Sequence, residues 1–139
     1  MNDTFVIDNS IVMSWCFQDE TDPYAEKVLD RLTDAVAVVP AIWPLEVVNL
    51  LLVAEWRERL GLADSTRFLA LLAQLPIVVE EQRTKQRLEE LLALGRANSL
   101  SSYDASYLAL AMRRGVPIAT LDKSLIAAAG RESIPLFEV

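Results

Sequence analysis

Short apolar runs alternate along this chain with longer stretches of helical periodicity. Thr4–Ile7, Val36–Val39, Ile77–Val79, Ile118–Leu121 and Leu136–Val139 are mostly short and rich in valine or isoleucine, bounded by proline or charged residues. Such runs predict strands buried on both faces. Between them, apolar residues recur at three- and four-residue spacing. Ser10–Phe17 predicts a short helix, and Tyr24–Asp34 a second with Val28, Leu29 and Leu32 on one face. Pro44–Leu60 has proline in its first turn and Gly61 after its last residue, the favoured asymmetry of a helix. Asp64 is placed to cap a helix through Leu75, and Thr84–Ala97 carries Leu88, Leu91 and Leu92. Ser102–Arg114 ends at Gly115, with two arginines suited to the negative helix end. Asp122 is placed to cap a last short helix through Ala129. The alternation predicts an α/β fold, a parallel sheet covered by helices on both faces with right-handed connections. Ligands of such sheets bind beyond the carboxyl ends of the strands, which is where chemistry is to be sought.

At 139 residues the chain is expected to form one domain, 1–139, with a core that needs no staples. Hydrophobic residues make up 53%, and this small surplus suits fully buried strands or a subunit interface. The lone Cys16 excludes an intramolecular disulfide and a thiolate metal cage. The start of the chain lacks the basic residues and long apolar core of a signal peptide. No run of about 18 apolar residues is present, so no membrane span is expected and a cytoplasmic setting is.

Histidine is absent, which excludes Ser-His-Asp and Cys-His catalysis and imidazole-based zinc sites. Acid–base or metal chemistry therefore falls mainly to carboxylates. Thirteen basic against twenty acidic residues give a net charge of −7, which argues against a protein that coats nucleic acid. It leaves a nuclease open, because bound divalent cations reverse the charge of an acidic site.

Four acids stand out by position. Asp8 directly follows the first predicted strand and Asp122 the fourth. Each is also placed to be a plain helix cap. Glu46 falls in a first helical turn, where the helix dipole favours it. Asp104 lies three residues after Ser101 and resembles part of a capping box. Singly these are ordinary. Together they put two acids at strand ends and two in helix first turns entered from the same edge. Such a cluster raises its own pKa values by mutual repulsion unless a hard cation joins it. Magnesium takes oxygen ligands, and four carboxylates suit one ion with outer support or two ions.

Four segments carry a family resemblance. They are Phe5-Val6-Ile7-Asp8-Asn9-Ser10, Pro44-Leu45-Glu46-Val47-Val48-Asn49-Leu50-Leu51, Tyr103-Asp104-Ala105-Ser106-Tyr107-Leu108-Ala109-Leu110-Ala111 and Ile118-Ala119-Thr120-Leu121-Asp122-Lys123. In this order the chain resembles the PIN-domain ribonucleases, and among them the VapC-type toxins of type II toxin–antitoxin pairs. The resemblance implies a three-layer α/β/α fold with a parallel sheet of about five strands. It implies endoribonuclease activity with Mg2+ or Mn2+, frequent homodimers and a small antitoxin that blocks the site. Asp8, Glu46, Asp104 and Asp122 would be the catalytic and metal-binding acids, with Ser10, Asn49 and Thr120 in support. Two positions depart from the pattern: Asn9 replaces the commoner small residue, and Ser124 stands where many relatives have another acid, so a second metal is in question.

Arg96, Arg113, Arg114 and Lys123 are candidates to meet RNA phosphates. Trp15, Trp43 and Tyr103 are candidates to stack on bases, although Trp15 is expected in the core. Asp19–Asp22 reads as a solvated loop. Asn49–Ala54 is apolar nearly all round and is expected to be buried, or with Phe68, Leu69 and Leu72 to form a dimer face or antitoxin groove. The alternatives are a phosphatase of small molecules, a signalling receiver domain and a catalytically silent PIN-like module. Asp8-Asn9-Ser10 lacks the second aspartate of the first, and Pro40 and Glu80 follow the strands where the second would need its phosphorylated aspartate.

Overall fold

A computed structural model describes residues 3–81 and 85–139. Four parallel strands form one sheet: β1 (Asp3–Ile7), β2 (Ala35–Val39), β3 (Ile77–Val79) and β4 (Ile118–Ala119), in the order β3-β2-β1-β4. Helices α1 (Asn9–Cys16), α2 (Pro23–Arg31), α3 (Trp43–Trp56), α4 (Leu62–Ala73), α5 (Lys85–Asn98), α6 (Ser102–Arg114) and α7 (Lys123–Arg131) flank it. α1 packs on α2 and α3, and α6 on α5, α7 and β1. The α/β class is as the alternation predicted. The chain extends the sheet from β1 to β2 to β3, then returns to place β4 on the other side of β1. The topological switch therefore lies between β1 and β4, at whose carboxyl ends Asp8 and Asp122 stand.

The central strand is buried as its composition requires: Phe5, Val6 and Ile7 have no exposure. Tyr107, Leu108 and Leu110 of α6 close over the core. Among the described residues no fifth strand forms. Leu136 makes a single bridge to Ile118, and the segment is held by Ile118 N–H donating to Pro135 O at 3.0 Å and Phe137 N–H to Ile118 O at 2.9 Å. Pro135 brings no N–H to a ladder. Ring stacking of Phe137 on Phe5, centroids 3.8 Å apart, pins the segment instead.

Helix ends follow local chemistry. Asp22 caps α2 by accepting from Tyr24 and Ala25 N–H. α6 stops at Gly115, whose φ of +63° suits a residue without Cβ. Gly61 does not end α3. That helix stops at Trp56, and Glu58 takes a left-handed conformation (φ +58°) while Arg59 N–H returns to Ala54 O. Gly61 instead starts α4, its N–H donating to Asp64 Oδ2 at 3.1 Å. Asp64 thus caps from within the first turn. Gln18–Glu20 forms one 3-10 turn that overlaps Asp19–Asp22, the stretch read as loop. The start of the expected Thr84–Ala97 helix, Thr84, lies outside the described residues.

α3 is not buried all round. Val47, Leu51 and Ala54 face the core, whereas Leu45, Val48 and Leu52 are exposed. Among the described residues, no helix is long and apolar enough to cross a membrane.

Candidate active site

Asp8 is 4% exposed. It occupies the position before α1 yet makes no capping hydrogen bond there. Its oxygens turn to side chains instead. Ser10 Oγ donates to Oδ1 at 2.6 Å and Thr120 Oγ1 donates to Oδ2 at 2.8 Å. These hydroxyls are themselves fixed: Ser10 Oγ accepts from Leu121 N–H at 2.8 Å, and Thr120 Oγ1 from Asp122 N–H at 3.0 Å. The β1–β4 junction is thereby laced by the acid and its two hydroxyls. Burial pushes the Asp8 carboxyl up to about 6, against the two hydroxyl donors, and the charge of Asp122 adds to the rise.

Asp122 does cap its helix, with Oδ1 accepting from Leu125 N–H at 3.1 Å. Asp104 accepts no backbone bond from Ser101, so the capping box is half formed: Ser101 Oγ accepts from Asp104 N–H at 3.1 Å. The Asp104 carboxyl is raised by burial and then by the field of Asp122, eased by the Ser101 hydroxyl. Glu46, half-buried in the first turn of α3, is raised by burial and by Asp104, against a hydrogen bond from Tyr107 Oη to Oε1 at 2.7 Å. The four acids thus act on one another in a chain, Asp8 with Asp122, Asp122 with Asp104, Asp104 with Glu46.

Of the expected supports, Ser10 and Thr120 hold Asp8. Asn49 makes no such contact; it lines, with Glu46 and Asn9, a groove of about 350 Å³ between α1 and α3. Trp43 is buried and Trp15 donates to Ala25 O, so both belong to the core. Tyr103 is exposed. Arg113 and Arg114 are gathered on Glu80, at 3.2 and 3.9 Å, while Lys123 and Arg96 lie on the surface.

Sequence reasoning passed over Tyr107 as packing. The signal was present: a tyrosine three residues after Asp104 in an apolar helix needs a partner for its hydroxyl once buried. Removing that hydroxyl should matter for Glu46 alone. Tyr107→Phe is expected to keep the fold, at a cost of about 1–2 kcal/mol, and, under the ribonuclease activity that the resemblance implies, to slow cleavage by roughly 10–100-fold, the usual effect of losing a group that orients a ligand. Circular dichroism and initial rates check this, and an unchanged rate would remove Tyr107 from the site.

A parallel sheet with carboxylates acting on one another in pairs near its switch point is an arrangement suited to hard cations and phosphoryl groups. The chain belongs to the PIN-domain family, whose pattern it matches over residues 5–131. Its fold is similar to that in the crystal structure of PAE2754 from Pyrobaculum aerophilum, with a TM-score of 0.68, 22% identity, and 92% of this chain and 87% of that chain covered. The curated proteins contain no match. PIN domains are generally metal-dependent nucleases and typically use divalent ions such as Mg2+.

The residues fit such an ion in donor type and charge. All four acids offer oxygen, and they repel one another without a cation. Asn9 adds a buried Oδ1 that accepts no hydrogen bond, an orphan acceptor suited to a water of a hydrated ion. Among the described residues no group of three or more acids is close enough to cage an ion alone. Magnesium needs no such cage, since one or two carboxylates and several retained waters hold it.

Proposed function

We propose that this chain is a Mg2+-dependent endoribonuclease and the toxin component of a toxin–antitoxin pair. The observation that carries the reading is Asp8, buried at the switch point with each oxygen held by a hydroxyl and Asp122 acting on its charge. A bound divalent cation would polarise the phosphoryl oxygens and neutralise charge that develops in the reaction. Asp8 and Asp104 are the residues assigned to hold it, with Glu46 and Asp122 as further ligands or holders of water. Ser10 and Thr120 keep Asp8 aligned. Glu46, its carboxyl pushed up by burial and held at Oε1 by Tyr107, would have Oε2 to take a proton from an attacking water.

The toxin reading draws on apolar surface. A groove of about 750 Å³ bordered by α1 and α4, its apolar residues Phe68 and Leu71 set beside the charged Asp19, Arg59, Asp64 and Arg67, would seat an amphipathic antitoxin helix. The exposed Leu45, Val48 and Leu52 of α3 would serve a homodimer. A cytoplasmic location fits RNA as substrate.

The test is cleavage of structured RNA by the purified protein. Cutting is expected with Mg2+ and none with excess chelator. Full activity in chelator, or none with either Mg2+ or Mn2+ after removal of any co-purifying partner, would sink the assignment. A silent binding module would bind RNA without cutting it.

A further inference from the structure

We propose that the pocket beside Tyr103 receives a nucleobase adjoining the phosphate that is cut, with Tyr103 as its stacking platform; this rests on the nuclease reading above. The pocket, about 250 Å³, lies at the carboxyl ends of β2 and β3, where Ala41, Ile42 and Glu80 meet α5 and the first turn of α6. Ala41, Ile42, Leu88 and Leu91 make its apolar wall, and Ser102, Arg87, Arg113, Glu80 and Glu81 lie among its polar lining. Tyr103 stands immediately before Asp104 and is 55% exposed. With Trp15 and Trp43 taken into the core, it is the presented one of the three candidate aromatics.

Charge points the same way. The chain carries −7 overall, yet three guanidinium groups converge on the single carboxylate of Glu80. Arg87 Nη1 lies 2.8 Å away, Arg113 Nη2 3.2 Å and Arg114 Nε 3.9 Å, with Arg113 also reaching Glu90 at 3.4 Å. Burial pushes the Glu80 carboxyl up, but the bonds from Arg87 and Arg113 outweigh it and hold it below the usual range. Glu80 therefore stays ionised and fixes Arg87 and Arg113 in place through Oε1. Among the described residues Arg87 spends one N–H on it, which leaves the rest of its planar fork for a base edge or phosphate. An exposed ring, an apolar slot and a positioned guanidinium together are how proteins take a splayed RNA base. A flat, hydrogen-bonding ring satisfies this mixed lining; an aliphatic side chain would not.

The test uses Tyr103→Ala and Tyr103→Phe in the cleavage assay, with ultraviolet cross-linking of bound single-stranded RNA. Tyr103→Ala is expected to raise KM by about tenfold, as for one lost base–aromatic stack, with kcat within about twofold, since ground-state and transition-state binding fall together. It should also change which sites are cut and lose the cross-link, while Tyr103→Phe behaves as wild type. A wild type that cuts, with an Ala variant of unchanged KM, cleavage pattern and cross-link, overturns the pocket and leaves the nuclease standing. A wild type that neither cuts nor cross-links takes both down. A cross-link from Tyr103 to a co-purifying protein in place of RNA assigns the pocket elsewhere and also overturns it.

Discussion

Asp8→Asn is expected to raise the thermal midpoint of the metal-free protein at pH 7 and, under the proposed function, to remove RNA cleavage. The two effects have one cause. Burial has lifted the Asp8 carboxyl from 3.8 to about 6. Below the unfolded value, native and unfolded states are both protonated and the fold keeps its full stability. As pH rises toward and through about 6, the unfolded chain ionises freely, whereas the native carboxyl must ionise inside the protein. Stability is therefore lost over this window. The difference of about two pKa units corresponds to about 3 kcal/mol at neutral pH. An asparagine has nearly the same shape, accepts from Ser10, and can donate to Thr120 Oγ1 by rotation of that hydroxyl. It escapes the ionisation cost. At about 2–4 °C per kcal/mol for a chain of comparable size, the midpoint is expected to rise by roughly 5–10 °C, and its fall between the unfolded value of 3.8 and the native value of about 6 to flatten. Cleavage should fall by at least about a thousandfold, because several kcal/mol of charge stabilisation in the reaction go with the ligand. Mg2+ should raise the midpoint of the wild type and barely move the variant, since only a charged Asp8 rewards binding. Differential scanning fluorimetry across pH, with and without Mg2+, reads all three. A variant less stable than wild type at pH 7, with its pH slope intact, would show that Asp8 is not a strained carboxylate.

The sequence carried local information well and distant information poorly. The four strands and seven helices each announce themselves through periodicity, because burial of Phe5–Ile7 or of one face of α6 is written in consecutive residues. Helix ends were less legible. Gly61 looked like a stop for α3 and is the start of α4, and nothing in Glu58 marks it for a left-handed turn. The expected fifth strand stops at one bridge because Phe137 O, the next acceptor of a longer ladder, is taken by Tyr24 Oη at 2.7 Å, a partner 113 residues away. The acids were found because strand ends in an α/β fold share an edge. What local pattern could not show is which of them are capping helices. Asp122 is and Asp8 is not, a difference settled by Thr120, 112 residues away from Asp8 in the chain. Tyr107 and Glu80 were missed for the same reason: each draws its role from partners on other elements, Glu46 in one case and Arg87, Arg113 and Arg114 in the other.

Thr120→Val will cost more than its small change of atoms suggests. The hydroxyl donates to Asp8 Oδ2, accepts from Asp122 N–H, and sits 3.3 Å from Ser10 Oγ, so it joins the carboxyl ends of β1 and β4 to the start of α7. Valine matches its volume and restores none of this. Asp8 Oδ2 loses its donor in a site with 4% exposure, and the Asp122 N–H loses its acceptor. Leaving buried polar groups unsatisfied costs about 1–3 kcal/mol each, so a loss of roughly 2–4 kcal/mol in chemical denaturation is expected at pH 7. The sign follows from Asp8. With one stabilising donor gone, its carboxyl rises further above about 6, and the loss should shrink at pH 5, where the native group is already protonated. Affinity for Mg2+ should drop by roughly 10–100-fold, the usual consequence of removing a group that orients a ligand. Thr120→Ser supplies the control, because it keeps the hydroxyl and gives up only a methyl group. Calorimetric titration with Mg2+ or Mn2+ separates the readings: if valine and serine variants bind the ion alike, Thr120 is packing, and the alignment of Asp8 must come from Ser10 alone.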